Sequence, residues 1–289
     1  MILPPSSLSR PLPAPTLTEY RSATHGPQPL RRTKPPVGCR GQEFPREAKD
    51  LDGIVILDKP TGITSAKAVY RVRAITGVRK SGHAGTLDPG ATGVLLVCQG
   101  KATRLVEAVM DLPKVYRAHA RLDVTSESFD ADRPMSEVPV TSPPSLDGLH
   151  AACALFEGVI AQVPPHISAI KLGGIPSYRR RAEDAHQMLT ARPVRIHWLV
   201  VRAYEWPTVE FDMACGRGTY VRALIRDLGQ RLGTGGCLTA LRRLAVGPFH
   251  EREAVGFEEL ASDPAAHVIE LERARTMIEA GRGVVPARV

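Results

Sequence analysis

The run Gly82-His83-Ala84-Gly85-Thr86-Leu87-Asp88-Pro89-Gly90-Ala91-Thr92-Gly93 holds one carboxylate among residues that govern backbone shape. Gly82, Gly85, Gly90 and Gly93 accept φ > 0 or let another chain approach, and Pro89 fixes the turn just after the acid. Val94-Leu95-Leu96-Val97-Cys98 follows, an apolar run of strand length. A carboxylate on a stiff loop at the mouth of a buried strand can serve as a nucleophile or a general acid or base. Asp88 also reads as a turn cap, as Asp does before Pro and Gly. Arg222 falls in the first turn of a helix, where the dipole disfavours a cation by ~0.3–1 kcal/mol. That placement suits a guanidinium with another task, such as a bidentate grip on a carboxylate. Arg226, one turn on, leaves a plain surface reading open. Tyr116 lies on the inward face of an alternating stretch, where a core tyrosine and a pocket-lining one look alike.

The elements that must position these groups are legible in part. Ile54-Val55-Ile56-Leu57 reads as a buried strand. A helix follows, with Thr64 or Ser65 as N-cap, Val69, Val72 and Ile75 inward, Lys67, Arg71 and Arg73 outward, and Gly77 as stop. A helix through Leu105, Val106 and Val109 succeeds the Val94–Cys98 strand. From Val115 to Leu122 the chain alternates, with Tyr116, Ala118, Ala120 and Leu122 on one face and Arg117, His119 and Arg121 on the other. Residues 125–144 read as loop. A helix with Leu146, Leu149, Cys153 and Phe156 on one side comes next, then a basic, irregular stretch from Pro164 to Arg181. Strands around His197 to Tyr204 and Val209 to Cys215 lead into a helix with the stripe Val221, Leu224, Ile225, Leu228 and Leu232, stopped by Gly233. This irregular mixture of strands and helices is of the α+β class.

Bulk properties narrow the function classes. The 289 residues carry a net charge of +8 and a pI near 9.5, which suits a polyanionic partner. Five scattered cysteines, with no Cys-x-x-Cys pair, argue against a zinc site or a disulfide framework and for a reducing compartment. No apolar run approaches the ~18 residues of a membrane span. Only 5% of the residues are aromatic, which argues against a broad base-stacking platform of the single-strand-binding kind. Residues 1–50 are rich in proline and arginine, without apolar periodicity, and read as a disordered extension.

The Gly82–Gly93 run resembles the signature of the TruB-type tRNA pseudouridine(55) synthases, in which a Gly-His-x-Gly-x-Leu-Asp-Pro-x-Ala-x-Gly segment carries the catalytic aspartate. Further segments agree in the same order: Leu57-Asp58-Lys59-Pro60-Thr61-Gly62, Lys114-Val115-Tyr116-Arg117-Ala118, Ser168-Ala169-Ile170-Lys171, Gly218-Thr219-Tyr220-Val221-Arg222 and Thr239-Ala240-Leu241-Arg242-Arg243. The resemblance runs from about Asp52 to Phe249. It implies a pseudouridine synthase fold, α+β, with a mixed, largely antiparallel sheet, flanking helices and an RNA-binding cleft. The catalytic domain is then 51–250, with an RNA-binding insertion at about 125–195. Residues 251–289 form a short C-terminal segment, truncated relative to the PUA-like domain of many bacterial relatives.

The resemblance also distributes roles. Asp88 becomes the nucleophile, Arg222 its ion-pair partner, and Tyr116 a stacking surface over the uracil and a base for proton removal. Tyr220 and Leu241 line the pocket. His83 lies against the RNA, filling the space of a flipped nucleotide. Lys59, Arg104 and Lys171, with Lys101, Arg242 and Arg243, contact phosphates, although each also reads as a plain surface charge. The reaction is an isomerisation, without redox or an external group, so no cofactor and no metal are expected. The expected partner is the TΨC stem-loop of tRNA, met by a cytoplasmic monomer with no membrane attachment. Departures fall where RNA is contacted in relatives: Glu127 stands where an Asp is expected, and Ile167 precedes Ser168 where many relatives have Tyr. They keep open a synthase acting on another stem-loop RNA. A non-catalytic tRNA-binding chaperone is the rival from another class, and an intact Asp88, Tyr116 and Arg222 speaks against it.

Overall fold

Strand β1 (Gly53–Lys59) is apolar without alternation because both of its faces are covered: Val55 and Leu57 enter one core, Ile54 and Ile56 another. The structure, a computed structural model, describes residues 51–165, 171–172, 175–176 and 190–288. The readings made for residues 1–50, for Ile167 to Ile170 and for the Lys171 side chain lie outside these residues. After β1 come helix α1 (Ser65–Thr76), β2 (Ser81–His83), β3 (Thr92–Gln99), a 3-10 turn Gly100–Leu105, α2 (Val106–Asp111) and β4 (Lys114–Arg121). Then follow β5 (Val124–Ser126), β6 (Met135–Glu137), α3 (Leu146–Ala154), β7 (Gly158–Gln162), β8 (Lys171–Leu172) and β9 (Ile175–Pro176). The chain continues through β10 (Arg192–Glu205), β11 (Thr208–Cys215), α4 (Val221–Leu232), β12 (Cys237–Val246), β13 (Phe249–His250), α5 (Phe257–Ser262), β14 (Val268–Glu270) and α6 (Leu271–Gly281).

The main sheet runs β14-β1-β3-β12-β4-β11-β10-β7, with β2 beside β3 and β13 beside β12. Every pairing is antiparallel except the short contact of β12 with β3, where Arg242 and Arg243 lie across from Thr92 and Gly93. The expected α+β architecture with a mixed, largely antiparallel sheet is therefore the one observed. Its larger core lies under α1, α3 and α4 and takes in Leu95, Val97, Ala118, Phe211, Leu224 and Leu228. A second core, on the other face of β1 and β3, is closed by Val109 of α2 and by Ala274 and Ile278 of α6.

Local signals explain several ends. Thr64 accepts the Lys67 amide as N-cap of α1, and Gly77 closes it in the left-handed region at φ 74°. Gly233, at φ 70°, ends α4 in the same way. Arg73, read as facing outward, instead donates to the carbonyl of Ser81 and ties α1 to β2. Within 125–144, read as loop, β5 and β6 form a small hairpin. Strand β12 has no counterpart in the sequence reading. The 251–289 segment is built into the fold: β14 pairs with β1, Leu260 enters the larger core and Ile278 the second.

Candidate active site

Asp88 sits in the β2–β3 loop, which is held from several directions. The Ser65 hydroxyl, at the start of α1, donates to Leu87 O at 2.9 Å and accepts from Leu87 N at 2.8 Å. Arg243, reaching from β12, donates to Val94 O at 2.7 Å and Gly85 O at 3.1 Å. Lys59 closes the third side, its Nζ donating to Pro60 O and Ile63 O at 2.9 Å each and to Pro89 O at 3.3 Å. Gly93 is required where the loop enters β3: its φ is +95°, and an added Cβ would lie 2.3 Å from Arg243 O.

Two of the cations expected on RNA phosphates are thereby reassigned. Lys59 is 0% exposed, and burial lowers its ammonium pKa to about 8. A flexible cation surrounded by carbonyls is a loop staple, out of reach of a phosphate. Arg243 is 1% exposed and is likewise committed to carbonyls. Arg242 pairs with Asp58 at 3.1 Å and with Glu251 at 2.7 Å. Lys101 pairs with Asp52 at 2.9 Å, and Arg104 is exposed on the 3-10 turn. The backbone of Lys171 pairs with Pro176 in the β8–β9 ladder.

Arg222 comes to the loop from the first turn of α4. Its guanidinium lies 3.0 Å from Asp88 Oδ2, donates to Ser128 O at 3.2 Å, and stands 4.0 Å from Asp130 Oδ2. The cation is buried while Asp88 remains about half exposed (47%), so the pair offers its carboxylate outward. Neither a turn cap nor a surface arginine describes this arrangement. Sequence reasoning missed Asp130 and named Glu127, which is exposed. Burial, with the Asp132 carboxylate adding to it, raises the Asp130 carboxyl to about 6, and Arg222 opposes the rise. Phe129 between them has φ 58°, a strained value for a bulky residue, so this loop is held where it would not rest alone. The signal available was a short run with two acids, Glu127 and Asp130, three residues apart; nothing in their spacing says which one faces inward.

A cleft of about 240 Å³ opens above Asp88, lined also by Tyr116, Tyr220, Arg222 and Leu241. These five of the sequence-named residues are brought together with a sixth, Arg243, and Lys114 and Arg217 join them. Burial raises the Tyr116 phenol above its ordinary value and the neighbouring Arg243 offsets only part of this, so Tyr116 presents a neutral ring and hydroxyl rather than a phenolate. His83 lies outside the cleft lining, on β2. Burial, with Arg243 adding to it, lowers its imidazole, and its Nδ1 has no hydrogen-bond partner among the described residues. No group of three or more potential metal ligands occurs among the described residues, and no described helix is long and apolar enough to cross a membrane.

A mixed sheet carrying an Asp–Arg pair in a cleft beside a buried tyrosine frames this site, and solved structures share the fold. A chain in the crystal structure of a Cbf5–Nop10–Gar1 complex matches 78% of this chain at 29% identity and a TM-score of 0.62; this chain spans 62% of that one. Residues 73–221 match the N-terminal domain of the TruB family pseudouridylate synthases, and residues 222–265 the tRNA pseudouridylate synthase B C-terminal domain. The tRNA pseudouridine synthase B of Thermobifida fusca is 43% identical over 220 residues, covering 73% of this chain and 75% of the relative. That of Mycobacterium bovis is 39% identical over 239 residues, covering 81% and 80%. The chain belongs to the TruB family of pseudouridylate synthases.

Proposed function

We propose that this enzyme isomerises uridine 55 in the TΨC arm of tRNA to pseudouridine, with Asp88 as nucleophile. The observation that carries the reading is the Asp88–Arg222 pair, 3.0 Å apart, at the cleft that Tyr116 lines. The reaction breaks the N1–C1′ bond, turns the uracil over and joins C5 to C1′; the proton on C5 is lost and one is gained at N1, so substrate and product are isomers. Such a reaction needs an ionised carboxylate at the sugar, a surface that keeps the detached base in place, and little water. Arg222 pairs with the Asp88 carboxylate and fixes its direction. Tyr116, Tyr220 and Leu241 hold the base, Tyr116 as a stacking surface. The raised phenol argues against Tyr116 as the resting base of the C5 proton transfer.

A uridine inside a helical arm cannot reach such a cleft, so the nucleotide must flip out, at a cost of a few kcal/mol. A splayed loop read mostly by its shape suits this demand, as does the excess of positive charge, +8 overall. The curated relatives carry the name tRNA pseudouridine synthase B, which supports tRNA as the substrate.

Pseudouridine mapping on unmodified tRNA transcripts and on a minimal TΨC stem-loop tests the reading, with wild type beside Asp88→Asn. Pseudouridine at position 55 from wild type alone is expected. Modification elsewhere, or equal modification by both proteins, would overturn the site or the nucleophile respectively.

A further inference from the structure

Tyr220 and Arg222 depend on a segment with little stiffness of its own. Residues 216–220 contain Gly216 and Gly218, the latter at φ +83°, and α4 begins at Tyr220 without a side-chain cap. A catalytic cation that starts two residues after such a turn needs to be held from outside. Gln162, the last residue of β7, is 1% exposed and does this. Its Nε2 donates to Tyr220 O at 3.1 Å and its Oε1 accepts from Tyr220 N at 2.8 Å. One side-chain amide thus gives Tyr220 both hydrogen bonds that a neighbouring strand residue would give. Tyr220 O also accepts the first helical bond, from Leu224 N at 3.1 Å, so the clamp and the helix start share an atom. One residue on, Val163 O accepts from Arg226 NH2 at 2.9 Å, a second tie between the end of β7 and the second turn of α4.

We infer that Gln162 is a positioning residue: it sets the Tyr220–Arg222 segment, and through it the direction of the Arg222 guanidinium toward Asp88. This rests on the reading of Arg222 and Asp88 as the reacting pair. Strand β7 lies within the insertion of about 125–195 that the family resemblance assigns to RNA binding. The residue that holds the start of the catalytic helix therefore belongs to that insertion.

The test uses Gln162→Met, which keeps the side-chain volume but removes donor and acceptor, and Arg226→Met, which removes the second tie together with the Arg226–Asp227 pair and the guanidinium's place over the Phe129 ring. Single-turnover pseudouridine formation and tRNA binding are measured for both, with thermal unfolding and amide hydrogen exchange of the 216–222 peptide. Gln162→Met is expected to lower kcat about 10- to 100-fold with KM within about threefold, since misplacement affects the transition state more than tRNA binding. Its Tyr220 amide is expected to exchange at least about tenfold faster, because its acceptor is gone. Arg226→Met is expected to show the same pattern in weaker form. Unchanged kcat, or a rise in KM alone, overturns the inference. If Gln162→Met does not fold, Gln162→Glu, which keeps an acceptor for Tyr220 N but loses the donor to Tyr220 O, decides by the same criteria. The exchange measurement needs no activity, so an inactive wild type would count against the proposed function, and an unchanged Tyr220 amide against this inference.

Discussion

At the scale of single residues, the site turns on how buried charges are compensated. Lys59 is a cation that carbonyls have taken out of circulation, so Lys59→Met should leave the salt dependence of tRNA affinity unaltered, whereas a phosphate contact would reduce the slope by about one. The same change strands three carbonyls around the Asp88 loop and should cost about 1–3 kcal/mol in stability, read from the denaturant midpoint. Asp130 gives a pH prediction. Its carboxyl is raised in the folded state from 3.8 to about 6, so folding binds a proton between those values. Its contribution to stability is therefore full below about pH 4 and lost as pH rises through 6. Asp130→Asn should remove that dependence, with a gain over wild type above pH 6, on the order of 2–3 kcal/mol at most, that vanishes toward pH 4. Its rate should nonetheless fall, because Arg222 loses the carboxylate on its far side. Stability curves and single-turnover rates across pH 4–8 check both parts.

At the scale of elements, legibility followed the simplicity of each pattern. Helix α1 was readable because Thr64, the Val69/Val72 stripe and Gly77 all obey local rules, and β4 because Tyr116, Ala118 and Ala120 alternate cleanly. Strand β12 was not. It shifts register at Leu238/Ala240 and again at Arg243/Ala245, so its period of two changes phase twice within ten residues. It also buries Arg243, a residue that reads as surface in any sequence. The same limit hid the Lys59 cage, whose carbonyls come from turns and carry no side-chain signature. Asp88, Arg222 and Tyr116 could be named because their motifs were present; that they meet could only come from the fold. The β3–β12 crossing makes a sharp prediction. Gly93→Ala places a Cβ against the Arg243 backbone in a left-handed conformation and should abolish soluble expression or cost more than about 4 kcal/mol. Gly82→Ala meets nothing within 4 Å and should fold with a midpoint close to that of wild type. Expression and chemical denaturation of the two variants side by side are sufficient.

At the scale of the whole molecule, the C-terminal elements are structural members of the sheet. A chain stopped after Asp263 would lose β14 and α6, uncover Ile54, Ile56 and Leu96, and leave β1 as an open edge. Such a chain is expected to aggregate or to melt well below the full protein, as light scattering on heating would show; a cooperative transition at an unchanged temperature would contradict the assignment. The core that α6 closes lies on the far side of the sheet from the larger core under α1, α3 and α4, so partial loss of the end weakens the platform behind Asp88 rather than the cleft itself.

The position of β12 between β3 and β4 also governs how the chain is born. When β4 leaves the ribosome at Arg121, the strand that must separate it from β3 still lies about 125 residues away, at Val246. At ~5–20 residues per second, synthesis leaves β4 without that neighbour for roughly 6 to 25 s. Until then neither Arg243 nor Arg222 has reached the Asp88 loop, so a nascent chain is without the site and sticky at once. Faults in β12 should therefore appear first as lost yield from cells, and only afterwards as lost turnover in whatever protein survives.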